Sequence, residues 1–185
     1  MEISVLSIPE GLQNWDLVAS YLRMRRHVFI EKLEWSLHQT DSMEFEQYDR
    51  VDTVYVIAHD EEEVLGGARL LRTDRSVGVY SYVIRDAFQS KLPSLPHNIC
   101  ANEPPQSKDV WEMTRFTATG PSNVARDILS AANEFLASKN AESCLFLGPP
   151  AFLRMAKSMK FDPTPLGPIS GNSDGRFVAF SCGVT

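Results

Sequence analysis

The sequence predicts a three-layer α/β/α sandwich around a mixed, mostly antiparallel sheet. Thr53 to Ala58 (TVYVIA) and Val64 to Leu71 (VLGGARLL) are β-rich runs joined by a charged turn, His59 to Glu63, which is a hairpin signal. Later, a strand at Val110 to Thr119, a helix opening at Asn123 and a strand at Ser143 to Leu147 form a crossover unit. An early hairpin with a late crossover requires antiparallel and parallel pairs in one sheet. The length of 185 residues, with 43% hydrophobic content, suits one substantial core, so a single domain is expected over residues 1–185.

The elements follow in order. Ile3 to Ile8 reads as an opening strand closed by Pro9 and Gly11. Leu12 to about Ile30 reads as one helix, with apolar residues at Leu17, Val18, Tyr21, Leu22 and Val28. Arg25 and Phe29 are four apart, which on a helix places them on one face. The acidic stretch Glu31 to Arg50 also carries Trp35, Phe45 and Tyr48, unusual for a solvated linker and consistent with a pocket wall or lid. Gly66 and Gly67 inside the hairpin predict a bulge or a close backbone approach, just before Arg69.

A short helix is expected at Tyr82 to Phe88, and the Pro-, Ser- and Asn-rich stretch Pro93 to Lys108 reads as a long loop. In the strand VWEMTRFTAT, alternation puts Glu112, Thr114 and Phe116 on one face. Trp111, Met113 and Arg115 fall on the other, unless a bulge shifts the register. Asn123 can cap a helix striped by Val124, Ile128, Ala131, Ala132 and Phe135. Pro150 to Met159 is a further helix, and Phe177 to Ser181 a closing strand.

A formal charge of −6 argues against a protein that wraps nucleic acid. Lys108, Arg154, Lys157 and Lys160 read as solvated faces. Cys100, Cys144 and Cys182 form no C-x-x-C pair, which suits a reducing compartment and inert packing. The amino-terminal run lacks a cationic flank and no apolar stretch is long enough to span a bilayer, so a cytoplasmic protein is expected. Phosphate-loop, zinc-protease and nucleophile-elbow motifs are absent, and His27, His38, His59 and His97 lack metal-ligand spacing.

What stands out is a set of charged and aromatic residues: Arg25, Phe29 and Trp35, then Glu46 and Asp49, then Arg69, then Glu112 and Arg115. Charges within apolar elements are costly unless paired, so the set points to a built polar pocket. Glu112 on its strand has two readings of equal weight. It is either a base that accepts a proton directly or through water, or an ion-pair partner of Arg115 or Arg69 that only fixes structure.

The spacing Arg25-x3-Phe29-x5-Trp35, with EFEQYD at Glu44 to Asp49, GGARLL around Arg69 and WEMTRF around Glu112 and Arg115, resembles the LuxI-type acyl-homoserine lactone synthases. The end, LGPISGNSDGRFVAF, is similar to that family's carboxy-terminal stretch. The resemblance implies a fold similar to the GCN5-type N-acyltransferases and no cofactor or metal, with S-adenosylmethionine as a substrate. The second substrate is an acyl thioester on acyl carrier protein or coenzyme A. The resemblance further implies that Arg25, Phe29, Trp35, Glu46 and Asp49 shape the S-adenosylmethionine side, while Arg69 ties the acidic loop to the sheet. Glu112 becomes the base and Arg115 orders the network, with Phe88, Thr114, Phe116 and Phe146 on the acyl and pantetheine side. The helix opening near Asn123 would meet the pantetheine phosphate. Glu46 stands where the family pattern usually has aspartate, and Ala68 where it often has a bulky aromatic residue. Two other readings compete: a generic acyl-CoA N-acyltransferase, for which Thr119 to Asn123 is a poor pyrophosphate loop, and a non-catalytic homologue that binds ligand or partner.

Overall fold

In the computed structural model the described residues are 1–8, 12–61 and 63–185. In chain order they form β1 (Glu2–Ser7), α1 (Trp15–Arg25), β2 (Val54–Asp60), β3 (Glu63–Arg72), α2 (Val83–Phe88) and β4 (Val110–Ala118). There follow α3 (Val124–Ser138), β5 (Ser143–Gly148), α4 (Pro150–Ser158), β6 (Thr164–Pro165), β7 (Ser170–Asn172) and β8 (Gly175–Gly183). The chain divides into two compact units, Met1–Leu70 with Arg115–Phe135, and Leu71–Thr114 with Leu136–Thr185.

In the first unit β1 pairs antiparallel with β2, and β2 antiparallel with β3 across a register shift at Ala58/His59. The expected hairpin is therefore present, although Glu62 in its turn, like the Pro9 and Gly11 stop after β1, lies outside the described residues. Gly66 and Gly67 explain the layering. A Cβ on Gly66 would lie 2.5 Å from the Thr117 carbonyl oxygen and 2.9 Å from Ile128 of α3; one on Gly67 would lie 2.7 Å from the Tyr21 ring of α1. Neighbouring strand residues face opposite ways, so α1 and α3 cover opposite faces of this part of the sheet. Both glycines are close approaches, and the register shift adjoins them: Ala58 pairs with Gly66 but His59 with Val64, which leaves Leu65 as the extra residue. Leu6, Val18, Tyr21, Leu22, Tyr55 and Ile57 make the core beneath α1.

The single helix expected from Leu12 to Ile30 is three pieces: a 3-10 turn at Leu12–Asn14, α1, and a π-helical segment at Arg26–Lys32. The π turn is closed by the Leu33 N–H donating to the Val28 carbonyl at 3.1 Å. Glu34 then adopts φ +56° and turns the chain back.

In the second unit β4 pairs in parallel with β5 from Val110↔Ser143 to Met113↔Phe146, which confirms the crossover, and β5 pairs antiparallel with β8. Antiparallel β6 and β7, both too short to be legible as strands, lie against β8. The loop Pro93 to Lys108 is tied down: the Tyr82 hydroxyl donates to the Pro105 carbonyl at 2.5 Å, and Arg85 donates to the Pro104 carbonyl at 2.6 Å.

Strand alternation fails at one point in β4. Arg115 takes φ +55°, a left-handed conformation uncommon for a residue with a Cβ. A residue of that conformation inside a strand makes a local bulge and re-aims its side chain.

Candidate active site

Helix α1 buries Val18, Leu22 and Arg25 on one face, so the apolar stripe ends in a guanidinium with no exposed surface. The charges that balance it come from the acidic stretch before β2. Arg25 Nε donates to Glu44 Oε2 at 2.5 Å, and Nη1 and Nη2 donate to the two oxygens of Asp49 at 2.7 and 3.0 Å. Asp49 also receives the Tyr55 hydroxyl at 3.0 Å and the Glu46 N–H at 3.1 Å.

Arg69, on β3 and equally buried, places Nη2 at 2.7 Å from Glu46 and Nη1 at 3.1 Å from Asp49. It lies over the Tyr48 ring at 5.5 Å. Arg115 places Nη2 at 2.9 Å from Glu46 and donates Nε to both oxygens of Glu44 at 3.2 Å. Three guanidiniums thus interleave with Glu44, Glu46 and Asp49, and the formal charges cancel. Taking each ion out of water costs several kcal/mol, which only such mutual pairing offsets.

Burial opposes ionisation of Asp49, but the Arg69 and Arg25 guanidiniums hold its carboxyl far below the usual carboxylate range. Burial likewise opposes ionisation of Glu46, yet the charges of Arg115 and Arg69 lower it. Burial pushes the Tyr55 phenol up and keeps it a donor to Asp49. Depressed folded-state values mean that both carboxylates stabilise the fold above their unfolded values and lose that contribution as pH falls through the folded ones. Urea midpoints are accordingly expected to hold from pH 7 to 5 and to fall steeply below about pH 4. A midpoint that stays flat down to pH 3 would contradict the charged pairing.

The three arginines differ in access. Arg25 and Arg69 have no exposed side-chain surface, whereas Arg115 keeps 11%. The re-aimed Arg115 lies 5.8 Å from the Phe29 ring centroid, and Phe29 stacks on Trp35 at 5.1 Å and 14°. The π segment sets up this stack: it carries Phe29, and the turn after it brings the Trp35 N–H to the Phe29 carbonyl at 2.9 Å. Phe29 is buried and Trp35 half-buried. An aromatic wall beside a guanidinium and a carboxylate can receive a zwitterion that also bears a cationic centre.

In the second unit Glu112 is fully buried, and its carboxylate accepts the Val83 N–H at 3.0 Å and the Ile84 N–H at 2.7 Å. It therefore satisfies amides that the first turn of α2 leaves open. Thr114 is buried nearby in sequence, and Phe88 ends α2 half-buried. Phe146 stacks on Phe180 at 5.0 Å and meets Phe152 edge-on at 5.6 Å. Phe116 belongs to the first unit and is half-buried. Asn123 donates its side-chain amide to Asp127 at 2.8 Å, which puts a carboxylate in the first turn of α3. Among the described residues, no cluster of His, Cys, Asp and Glu could hold a metal ion, and no helix is long and apolar enough to cross a membrane.

Residues 12–153 match the family model of the autoinducer synthases. The chain belongs to the autoinducer synthase family. An acyl-homoserine-lactone synthase of Ralstonia solanacearum is 41% identical over 113 residues, covering 60% of this chain and 48% of that protein. The match thus spans about half the length of that relative. The structure of TofI in a ternary complex with an inhibitor and MTA is 31% identical, with a TM-score of 0.82 over 100% of this chain and 92% of that one. A candidate N-acetyltransferase of Lactobacillus plantarum, 14% identical, shares the fold at a TM-score of 0.63, covering 100% of this chain and 98% of its own. The α/β fold with a mixed, mostly antiparallel sheet, similar to N-acyltransferases, is thereby established.

Within this chain, Arg25, Phe29, Trp35, Glu46, Asp49, Arg69 and Arg115 come together in the first unit. Glu46 bridges Arg69 and Arg115, so the longer side chain at this position completes the acidic network. Sequence reasoning missed Glu44, which is fully buried between Arg25 and Arg115. Its signal was present in the EFEQYD run, but three carboxylates within six residues do not reveal which one turns inward.

Proposed function

We propose that this chain makes an N-acyl-homoserine lactone from S-adenosylmethionine and an acyl thioester, releasing methylthioadenosine. The amine of S-adenosylmethionine attacks the thioester carbonyl, forming the amide and expelling the carrier thiol. The methionine carboxylate then attacks its own γ-carbon, closing the lactone as the carbon–sulfur bond breaks. The observation that carries this reading is the Phe29–Trp35 stack beside Arg115 and Glu46, in a chain of the autoinducer synthase family.

In this reading the sulfonium rests against the aromatic faces and carboxylate, and Arg115 meets the substrate carboxylate. The Arg25 fork is filled by Glu44 and Asp49 and acts through them. Glu112 takes the ammonium proton through a water. Phe88, Thr114, Phe116 and Phe146 flank the acyl and pantetheine side. Buried thiols at Cys100, Cys144 and Cys182 suit a reducing cytoplasm.

The test is to incubate the purified protein with S-adenosylmethionine and graded acyl thioesters, once on acyl carrier protein and once on coenzyme A, and to analyse the products by mass spectrometry. Lactone and methylthioadenosine in equal amounts are expected. Free thiol with an acylated amine and no methylthioadenosine would identify a generic N-acyltransferase instead, and no product with either donor would identify a binding protein.

A further inference from the structure

Glu44 joins two of the three arginines. It has no exposed surface; its Oε2 accepts Arg25 Nε at 2.5 Å, and both oxygens accept Arg115 Nε at 3.2 Å. Its own N–H donates to the Leu22 carbonyl at 3.2 Å, which pins the carboxylate to α1 rather than leaving it on a loose loop. Arg115 is gripped from other sides as well. The Tyr21 hydroxyl donates to its carbonyl at 2.5 Å, fixing the left-handed backbone, and Glu46 receives Nη2 at 2.9 Å.

These grips are not equivalent. A guanidinium is planar, and Nε is the nitrogen nearest the backbone, so a bond there sets the plane and heading of the whole fork. Glu46 alone would leave Arg115 free to pivot about Nη2. Glu44 removes that freedom, and it does so from a position with no exposure to solvent.

We propose that Glu44 is a positioning residue of the synthase reaction, holding Arg115 Nε so that its guanidinium faces the substrate carboxylate beside Phe29 and Trp35. This rests on the lactone synthase reading above. A purely structural counter-ion to Arg25 would lower stability and nothing else.

The experiment compares wild type, Glu44→Gln, Arg115→Lys and the double variant by methylthioadenosine release and by the ¹⁵N signal of Arg115 Nε–H, assigned from its absence in Arg115→Lys. Glu44→Gln is expected to raise KM for S-adenosylmethionine about tenfold or more, the scale of a lost hydrogen bond to a charged group, with KM for the acyl donor unchanged. In the Arg115→Lys background it should add less than about twofold, because effects transmitted through one group are not additive. The slowly exchanging Nε–H signal of wild type should collapse in Glu44→Gln. An unchanged KM in folded Glu44→Gln, independent effects in the double variant, or a persisting Nε–H signal would each overturn the assignment. If Glu44→Gln does not fold, Glu44→Asp, which keeps the charge but withdraws it by one methylene, is judged by the same criteria. An inert wild type would refute the lactone reading, while the Nε–H signal would still decide whether Glu44 holds Arg115.

Discussion

Asp49→Asn is expected to cost about 3–5 kcal/mol of stability, because it breaks a buried ionic network at its most connected point. Asp49 accepts hydrogen bonds from Arg25, Tyr55 and the Glu46 amide and lies 3.1 Å from Arg69. Asparagine keeps the shape but removes the charge and turns one acceptor into a donor that faces other donors. Two fully buried guanidiniums would then share the carboxylates of Glu44 and Glu46 alone. Domains are stable by only about 5–15 kcal/mol, so the loss is a large part of the total and should lower Tm by about 10 °C or more. Thermal unfolding followed by circular dichroism measures it. A change of under about 1 kcal/mol, the range of exposed pairs, would mean that the network is solvated in solution.

The second large effect is at Glu112. Glu112→Gln should lower lactone formation by about 10²–10⁴-fold, the usual contribution of a positioned general base. Glutamine retains one oxygen for one of the Val83 and Ile84 amides and turns its NH2 toward the other, so the loss of activity is read alongside a measured stability. Glu112→Ala leaves both amides without that acceptor and should add a stability cost of about 1–3 kcal/mol. Single-turnover methylthioadenosine release, with circular dichroism on each variant, separates the two contributions. Full turnover by either variant would remove Glu112 from the chemistry and leave it as the residue that holds α2.

Most of the fold was legible because it rests on alternation and periodicity. TVYVIA and VLGGARLL paired as read; on α3 Val124, Ile128 and Ala132 are buried as expected, whereas Leu129 and Leu136 complete the buried face and Ala131 and Phe135 are only half-buried. The paired glycines also signalled a close approach, since only the absence of a Cβ admits the Tyr21 ring and the Thr117 carbonyl. What escaped depends on tertiary pairing. The π segment differs from an α-helix by one residue per turn, and RHVFIEK carries no composition that marks it. The left-handed Arg115 was foreseeable only as a possible bulge, because its conformation is fixed by Tyr21 and Glu44, distant in sequence. The constellation itself was legible from residue type and spacing, whereas the inward turn of Glu44, the filled Arg25 fork and the amide partners of Glu112 required coordinates.

The π turn at Arg26–Lys32 also fixes how this stretch of chain can vary through descent. Removing one residue there would restore α-helical closure and rotate everything after it by about 100°, carrying Trp35 off the face of Phe29. Substitutions at exposed positions such as Lys32 leave the winding intact. The segment therefore tolerates changes of letter but not of length, and any gap in an alignment of working relatives should fall outside it.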